Sequence, residues 1–386
     1  MQRLQHHSKW IAAILLLLSI LPFPATAQLT GKSHVRMGVV LPLKEKSQRG
    51  AKMVEFYQGM LMAVDSVCNE GLSTEVIALH SGSSASEMEE LLASDPLYGC
   101  DVVFGPLDHA QAPALADYCQ QRQIRLVVPF VTQDTEIREH PLCYMASASR
   151  PVVQRQAASY FQSVFPDANI VAIGTGDPNE EGRRFIEAVR NDVSARGIFL
   201  RQLPADFNEL SMDGALIADK HNVLIPDGSS LKALNGLMTH LLEYHRQNPE
   251  VQISLFGYPS WQTYTQQFLQ DFYFLDTYIY TTFFRNPLSP QTFEFDARYL
   301  QWFKHPMQNT VPRYAQIGFD LGYYFLRGLS LYGDQLEESH ALMTTAPYQN
   351  TYWFERLNEG DGFVNNFVEL IHYTPYQTTD ILSRTR

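Results

Sequence analysis

Short apolar segments of strand length alternate with segments whose apolar residues recur at helical spacing, and this alternation limits the possible folds most. "VRMGVVLPL" at 35–43 is a strand-length apolar run, and apolar residues recur every three or four positions through 50–67. The same pair of patterns is repeated over 74–94 and 101–121. Strands that alternate with helices predict a parallel sheet with helices on both faces.

The alternation pauses near residues 131–141, starts again, and ends near residue 284. The chain beyond this point is mostly helical and aromatic in pattern, until Gly and Asn turn signals surround a short apolar run in 354–375. That last segment suits a hairpin that returns across both halves. We therefore predict an α/β fold of two doubly wound parallel-sheet lobes with a cleft between them.

The first 27 residues have the pattern of a cleavable signal peptide. Arg3 and Lys9 give a basic start, an apolar run covers 10–21, and Ala-Thr-Ala at 25–27 matches an A-x-A cleavage site. The run is short for a membrane span, although an uncleaved anchor is the alternative. We expect a periplasmic protein whose mature chain has no transmembrane segment.

The predicted lobes follow from these boundaries. The first comprises 33–130 and about 286–335, and the second comprises 135–284 and about 350–386. A mature chain of about 360 residues exceeds what one core usually supports, so two lobes are the expected arrangement.

The net charge disfavours binding to polyanions. It is −12 for the whole chain and becomes −14 without the first 27 residues, which hold two basic and no acidic residues. An acidic chain with no Lys/Arg cluster is not expected to bind nucleic acid or anionic membrane surfaces. A small polar ligand is the partner that we expect for a cleft between two lobes.

Four cysteines, Cys68, Cys100, Cys119 and Cys143, lie in the predicted mature chain. An even number in an exported protein suggests two disulfides, and four cysteines allow three pairings. We favour Cys68–Cys100 and Cys119–Cys143, with free buried thiols as the alternative. No C-x-x-C motif supports a metal or redox site.

Short polar loops with Gly or Pro follow the predicted strands, and ligands bind beyond the carboxyl ends of parallel strands. Two facing sets of such loops would form a small-molecule cleft. The candidate ligand-binding residues in these loops are Leu107, Asp108, His109, Thr132, Ser149, Thr175, Asp227 and Tyr258.

Catalytic motifs do not accompany these loops. The chain contains no H-E-x-x-H, G-x-S-x-G, P-loop or complete G-x-G-x-x-G motif. Asp108 and His109 are adjacent and would not face each other on a helix, so Asp108 is better interpreted as an N-cap and His109 as a rim residue. We expect no enzyme activity, no cofactor and no metal.

The order of four segments resembles the type I periplasmic binding proteins, which include branched-chain amino acid binding proteins and receptor ligand-binding domains. The segments are "VVLPL" with "FYQGMLMAVDSV", "CDVVFGP" with "IRLVVPF", "NIVAIGTGDPNEEGRRFIEAV", and "YAQIGFDLGYYF". The resemblance covers nearly all of the mature chain. It implies a non-enzymatic solute-binding protein with a transporter or cell-envelope partner.

The resemblance also implies a hinge. Three crossovers would join the lobes near Pro129–Thr135, Phe283–Pro287 and Tyr332–Asn350, and hinge closure would trap the ligand. A cysteine pair placed like Cys68 and Cys100 is common in this family.

The connection between the strand at 101–104 and the helix that follows differs from that of the amino acid binders. Those proteins hold the ligand carboxylate with a hydroxyl residue just after the Gly-Pro joint, whereas this chain has Leu107-Asp108-His109-Ala110 there. An Asp at a helix tip opposes an anion. The resemblance therefore does not extend to an ordinary amino acid ligand.

A second resemblance concerns the periplasmic activators of penicillin-binding proteins, which have the same fold. "VVLPL" and "FGPL" are similar to joints of that group. It implies the alternative function, an envelope interaction or regulatory module whose cleft is degenerate.

Overall fold

Two seven-stranded sheets organise the protein in the computed structural model, which describes residues 31–132, 139–356 and 358–383. The predicted signal peptide, residues 1–27, lies outside the described residues. No described helix is long and apolar enough to cross a membrane.

The elements have the following bounds. The strands are β1 (His34–Leu41), β2 (Ser73–His80), β3 (Val102–Phe104), β4 (Arg125–Val128), β5 (Cys143–Met145), β6 (Asn169–Ile173), β7 (Arg201–Leu203), β8 (Asn222–Pro226), β9 (Ile253–Gly257), β10 (Thr277–Thr281), β11 (Phe354–Arg356), β12 (Phe363–Asn365), β13 (Glu369–Tyr373) and β14 (Thr379–Ser383). The α-helices are α1 (Gln48–Asn69), α2 (Ala85–Ala93), α3 (Ala112–Gln121), α4 (Arg150–Val164), α5 (Glu180–Ser194), α6 (Glu209–Ala215), α7 (Leu231–Gln247), α8 (Thr265–Phe274), α9 (Pro290–Phe303), α10 (Tyr314–Tyr332) and α11 (Leu336–Ser339).

The sheets are parallel except at one edge of each. The first has the order β11-β12-β5-β4-β3-β1-β2, in which only β11 runs antiparallel to its neighbour. The second has the order β14-β13-β10-β9-β8-β6-β7, with antiparallel pairing from β10 outward to β14. This confirms the prediction of two doubly wound α/β lobes.

The inner strands are buried at every position because helices cover both faces of each sheet. This holds for β3, β4, β6, β8, β9 and β10. Burial on both faces is why these strands read as unbroken apolar runs instead of alternating polar and apolar residues.

Helices α1 and α10 pack backbone against backbone in the first lobe. A Cβ placed on Gly59 would lie 1.8 Å from the carbonyl oxygen of Ala315, and one on Gly318 would lie 1.9 Å from that of Phe56. Glycine is therefore required at both positions of this contact. The pair carries much of the first-lobe core, with Phe56, Met60, Leu321 and Phe325 buried.

The three crossovers between the lobes differ in part from the predicted ones. They are residues 146–149 between β5 and α4, 282–289 between β10 and α9, and 366–368 between β12 and β13. The second agrees with the predicted Phe283–Pro287. The first and third do not lie at Pro129–Thr135 and Tyr332–Asn350, because β5 and β12 pair with each other in the first sheet.

The predicted lobe boundaries change with these crossovers. Residues 143–145 were assigned to the second lobe by sequence but form β5 of the first sheet. Of the segment 350–386, β11 and β12 also belong to the first sheet, and β13 and β14 extend the second. Sequence could not place these strands, because their short apolar runs pair with partners far away in the chain.

Asn365 ties the first crossover to the third. Its side-chain nitrogen donates to the carbonyl of Ala146 at 3.2 Å, and its side-chain oxygen accepts from the amides of Trp353 at 2.8 Å and Phe367 at 3.1 Å. The side chain is buried, so these bonds are not exchanged with water.

The second crossover is held to the first lobe through Gln349. The amide of Phe284 donates to the carbonyl of Gln349 at 3.0 Å. Asp320 of α10 accepts from the amides of Tyr348, Gln349 and Asn350 at 2.8–2.9 Å. Burial raises the pKa of Asp320 to about 7, although the three amide donors oppose this shift.

No disulfide is found among the described residues. All four cysteines lie in the described part of the chain, and none is joined to another there. Cys68 is exposed near the end of α1, whereas Cys100 is buried in the first-lobe core. Cys119 and Cys143 are both buried beside one pocket, and the two pairings stay predictions.

Candidate functional site

The carboxyl ends of both sheets meet at the hinge. The first and second crossovers leave the carboxyl ends of β5 and β10, and the third joins the carboxyl end of β12 to the end of β13 that pairs with Thr281. The loops that follow the parallel strands of the two lobes therefore border one cleft, where ligands bind in such sheets.

An open groove of about 600 Å³ lies on the first-lobe side of this cleft. It is formed at the carboxyl ends of β1, β3 and β4 together with the start of α10. Its lining residues include Arg49, Lys52, Leu107, Phe130 and Tyr314. Leu107 is the predicted site residue that lines this groove.

Aromatic rings form the floor of the groove. Phe130 packs on Phe56 with ring centroids 5.2 Å apart and on Tyr314 at 5.9 Å. The ammonium of Lys52 lies 5.4 Å from the centroid of the Tyr314 ring, within the range of a cation–π contact. Among the described residues, no carboxylate lies within salt-bridge distance of Lys52, and Glu45 is the carboxylate that lines the groove.

Asp108 forms an ion pair and does not cap a helix. Its side chain accepts from the guanidinium of Arg49 and makes no bond to the amides of the 3-10 helix that follows at His109–Gln111. The predicted N-cap bond is therefore wrong. His109 lies exposed in that helix.

Arg49 is a site residue that the sequence interpretation missed. It lies in the first turn of α1, directly beyond the β1 joint, and this position is the signal that could have identified it. Because the guanidinium of Arg49 neutralises the carboxylate of Asp108, the loop after β3 repels an anion less than its sequence indicates.

The polar side chains at the second-lobe rim form hydrogen bonds and an ion pair with each other. Thr175 donates through its amide and hydroxyl to Asp227 at 2.9 and 2.7 Å. Asp177 accepts from the hydroxyl of Ser230 and from Lys232, and these bonds lower its pKa. Thr175 and Asp227 thus lie together at the predicted rim, where they fix the two loops to each other.

Tyr258 does not face the cleft, which corrects its place among the candidate residues. It is fully buried, its hydroxyl donates to the carbonyl of Pro226, and it packs against Phe185 and Trp261. Desolvation raises its pKa well above the usual value. It follows a strand as a rim residue would, but the chain turns its ring into the core.

Thr132 lies in the loop that follows β4, and Ser149 is the last residue of the first crossover. Thr132 is half-buried and precedes residues 133–138, which the structure does not describe. Ser149 is half-buried at the N-cap position of α4, and its hydroxyl makes no capping bond. Neither is brought into contact with the first-lobe groove.

A Ser–His–Asp contact at the opposite end of the second sheet is structural. The hydroxyl of Ser254 lies 2.7 Å from Nε2 of His221 and donates to Asp276, which in turn lies 2.6 Å from His372. Ser254 is fully buried, and its hydroxyl bonds the carboxylate directly. The contacts join the amino ends of β8, β9 and β10 with β13. They do not arrange a nucleophile, a base and an orienting acid in series.

The described ranges hold no group of three or more His, Cys, Asp or Glu side chains arranged to hold a metal ion. Arg49, Lys52 and the aromatic floor can attract a negatively charged group and pack a flat or apolar one, although Glu45 also lines the groove.

No protein-family model matches the chain, and no curated protein matches it. Solved structures do match. A protein described as a branched-chain amino acid ABC transporter from Rhodospirillum rubrum aligns with a TM-score of 0.59 and 13% identity over 91% of this chain and 100% of that one. A branched-chain amino acid ABC transporter periplasmic ligand-binding protein from Burkholderia xenovorans gives 0.52 and 11%, over 90% and 94%.

A further match is the C-domain of LpoA from Haemophilus influenzae, described as a regulator of PBP1A. It aligns with a TM-score of 0.54 and 12% identity over 91% of this chain and 100% of that domain. At these identities the likeness concerns the arrangement of the chain. It shows that this protein has the two-lobed fold of the type I periplasmic binding proteins.

Proposed function

We propose that this chain is a non-enzymatic periplasmic binding protein that closes its two lobes on a small polar ligand. The observation that carries the proposal is the groove with Arg49 and Lys52 above an aromatic floor, which lies where this fold places its cleft. Export to the periplasm rests on the predicted signal peptide.

The ligand that fits the groove has an anionic group and an apolar or flat portion. Lys52 offers a charge that contacts no carboxylate of the described residues, while Phe130 and Tyr314 offer ring surface. We infer that the ligand binds the first lobe before closure, because Thr175 and Asp227 of the second-lobe rim already form hydrogen bonds with each other. Closure then brings that rim over it.

The remaining rim residues complete the proposed site. Leu107 contributes apolar contact, the Asp108–Arg49 pair can rearrange around the ligand, and His109 lies beside it at the joint. Thr132 in the loop after β4 and Ser149 at the end of the first crossover lie on the first-lobe side, and Thr175 and Asp227 form the opposing rim.

The test is a thermal-shift screen of the mature protein with amino acids, short peptides, sugars and muropeptides, followed by calorimetry of each hit. A ligand at ~100 times its dissociation constant adds about 2.7 kcal/mol to the free energy of unfolding. Lys52→Gln should weaken a hit by about tenfold, the scale of one charged hydrogen bond. Lys220→Gln, at an exposed turn of the second lobe, is the control and should bind as the wild type does.

A second function is favoured by the self-paired second-lobe rim and by the likeness to the LpoA C-domain. In it, the chain is an envelope regulatory module that docks to a peptidoglycan synthase and binds no solute. A screen without any hit, together with cross-linking to such an enzyme in envelope extracts, would replace the first proposal with this one.

A further inference from the structure

A pocket of about 360 Å³ lies beside the second crossover, away from the cleft groove. Helix α8 forms one wall with Leu269 and Tyr273, the crossover forms another with Phe284 and Arg285, and Arg313 at the start of α10 closes it. We call it the hinge pocket. None of the eight candidate cleft residues lines it.

The hinge pocket runs along α8 from the carboxyl end of the second sheet toward the opposite end. Gln262 at its upper end follows β9, whereas Tyr273 and Tyr373 at its lower end lie near the amino end of β10, since Tyr373 pairs with Thr277. The pocket therefore descends the flank of the second lobe. Its walls come from both lobes and from the crossover between them.

The walls of the hinge pocket are mainly apolar. The charged groups among the described lining residues are the guanidinium groups of Arg285 and Arg313. Arg285 pairs with Asp296, which does not line the pocket, at 2.6 Å. Arg313 donates to the side chain of Asn309 at 2.9 Å and to the carbonyl of Gln308. No carboxylate in the described chain lies within salt-bridge distance of Arg313.

The two guanidinium groups are close enough to affect each other. Burial first, and then the charge of Arg285, lower the pKa of Arg313, while the carboxylates of Asp296 and Glu55 oppose this shift. An arginine remains charged at any physiological pH. Of the two guanidinium groups, only that of Arg285 contacts a carboxylate among the described residues, so Arg313 is the one that can accept an anion at this apolar surface. An anion placed there would relieve the repulsion between them.

Arg313 is fixed in position before any ligand arrives. Its amide donates to the side-chain oxygen of Gln349 at 2.9 Å, and the side-chain nitrogen of Gln349 donates back to the Arg313 carbonyl at 3.3 Å. The same Gln349 accepts from Phe284 of the crossover and donates to buried Asp320. Because Arg313 is already fixed, ligand binding costs little entropy for ordering this residue.

We propose that the hinge pocket is a second ligand site, separate from the cleft, that binds a small amphipathic monocarboxylate. The carboxylate lies against the guanidinium groups of Arg313 and Arg285, which suit its planar, two-oxygen geometry. The apolar portion lies along Leu269 and Tyr273. The volume is in the range of pockets that enclose small molecules.

Calorimetry with octanoate and with 1-octanol on the mature protein tests the charge requirement. The two probes have the same chain length and differ in the anionic group. We expect octanoate to bind with one-to-one stoichiometry, and 1-octanol to bind at least about tenfold more weakly, as loss of a charged hydrogen bond implies. Equal binding of both probes, or no octanoate binding at millimolar concentration, would overturn the proposal.

Variants test the location. Arg313→Met removes the charge, and Gln266→Trp fills the pocket from an exposed position of α8 without touching either arginine. Each should weaken octanoate binding by about tenfold or more. If Gln266→Trp leaves the octanoate affinity unchanged, the hinge pocket is not the site.

Matched controls separate this site from a general change in the protein and from the cleft. Gln270→Trp makes the same substitution at an exposed position of the same helix that does not line the pocket, and it should bind octanoate as the wild type does. Lys52→Gln alters only the cleft groove and should also leave octanoate binding intact. If Lys52→Gln abolishes octanoate binding, the probe binds in the cleft and the hinge-pocket proposal fails.

Discussion

Glu369, at the start of β13, is a buried carboxyl group whose pKa burial raises to about 7, while the side chain of Ser383 opposes the shift. The folded protein therefore holds this proton more tightly than the unfolded chain, whose pKa is near 4.5. The stability that Glu369 contributes is fully present below the unfolded pKa. It is lost as the pH rises to the folded value.

Glu369→Gln removes this dependence, because glutamine stays neutral. Relative to the wild type, the variant should become progressively more stable as the pH is raised from 4.5 to about 7.5. Urea unfolding at several pH values measures the difference. Ser383→Ala keeps the carboxyl group and should retain the wild-type trend, and a difference that does not vary with pH for Glu369→Gln would contradict the assignment.

For single residues, the sequence predicted the positions of the strand–loop–helix connections better than the contacts of the side chains in them. Leu107 and Asp108 are found at the carboxyl end of β3, as a strand–loop–helix pattern indicates. The burial of Tyr258 depends on Phe185, far away in the chain, and the pairing of Asp108 depends on Arg49. Local pattern cannot supply either of these contacts.

Among the elements, helices α1 and α10 give the most specific expectation. Gly59→Ala places a methyl group against the backbone oxygen of Ala315, which cannot move aside without separating the helices. Overpacking of this kind should lower the free energy of unfolding by about 3 kcal/mol or more.

Gly236→Ala is the matched control for that prediction. This glycine lies exposed in α7, and a Cβ there would meet nothing nearer than the Thr175 oxygen at 3.8 Å. The variant should gain about 0.5–1 kcal/mol, because alanine favours the helix. Denaturant unfolding measures both. Similar effects of the two substitutions would show that helix propensity, and not the close contact, decides them.

The elements themselves were predictable where burial is uniform. Runs such as residues 101–104 and 124–128 read as strands because they lie inside sheets that are covered on both faces. The assignment of 354–373 to two different sheets was not predictable, since a three-residue strand such as β12 is specified by its partner and not by its own pattern.

For the whole molecule, Asn365 is the residue whose loss should affect the relation between the lobes. Asn365→Ala leaves the carbonyl of Ala146 and the amides of Trp353 and Phe367 without their partner in a buried place. We expect a loss of about 2–4 kcal/mol in the free energy of unfolding and faster amide exchange in residues 146–149 and 366–368.

Asn366→Ala is the neighbouring control. Asn366 donates to Glu355 at 2.9 Å near the surface, so its removal should change the stability by less than about 1 kcal/mol. Hydrogen exchange resolved by mass spectrometry measures both variants. If Asn365→Ala leaves exchange in the two crossovers unchanged, Asn365 does not hold them together.

The pairing of β12 with β5 and of β13 with β10 has a consequence for the order of events during synthesis. Each lobe completes its sheet with strands that lie beyond residue 354. A nascent chain on the ribosome therefore has no finished sheet in either lobe until residues beyond 354 have emerged, although domains commonly fold one after another as they are made. We therefore expect both lobes to complete their sheets only after these last strands have been made.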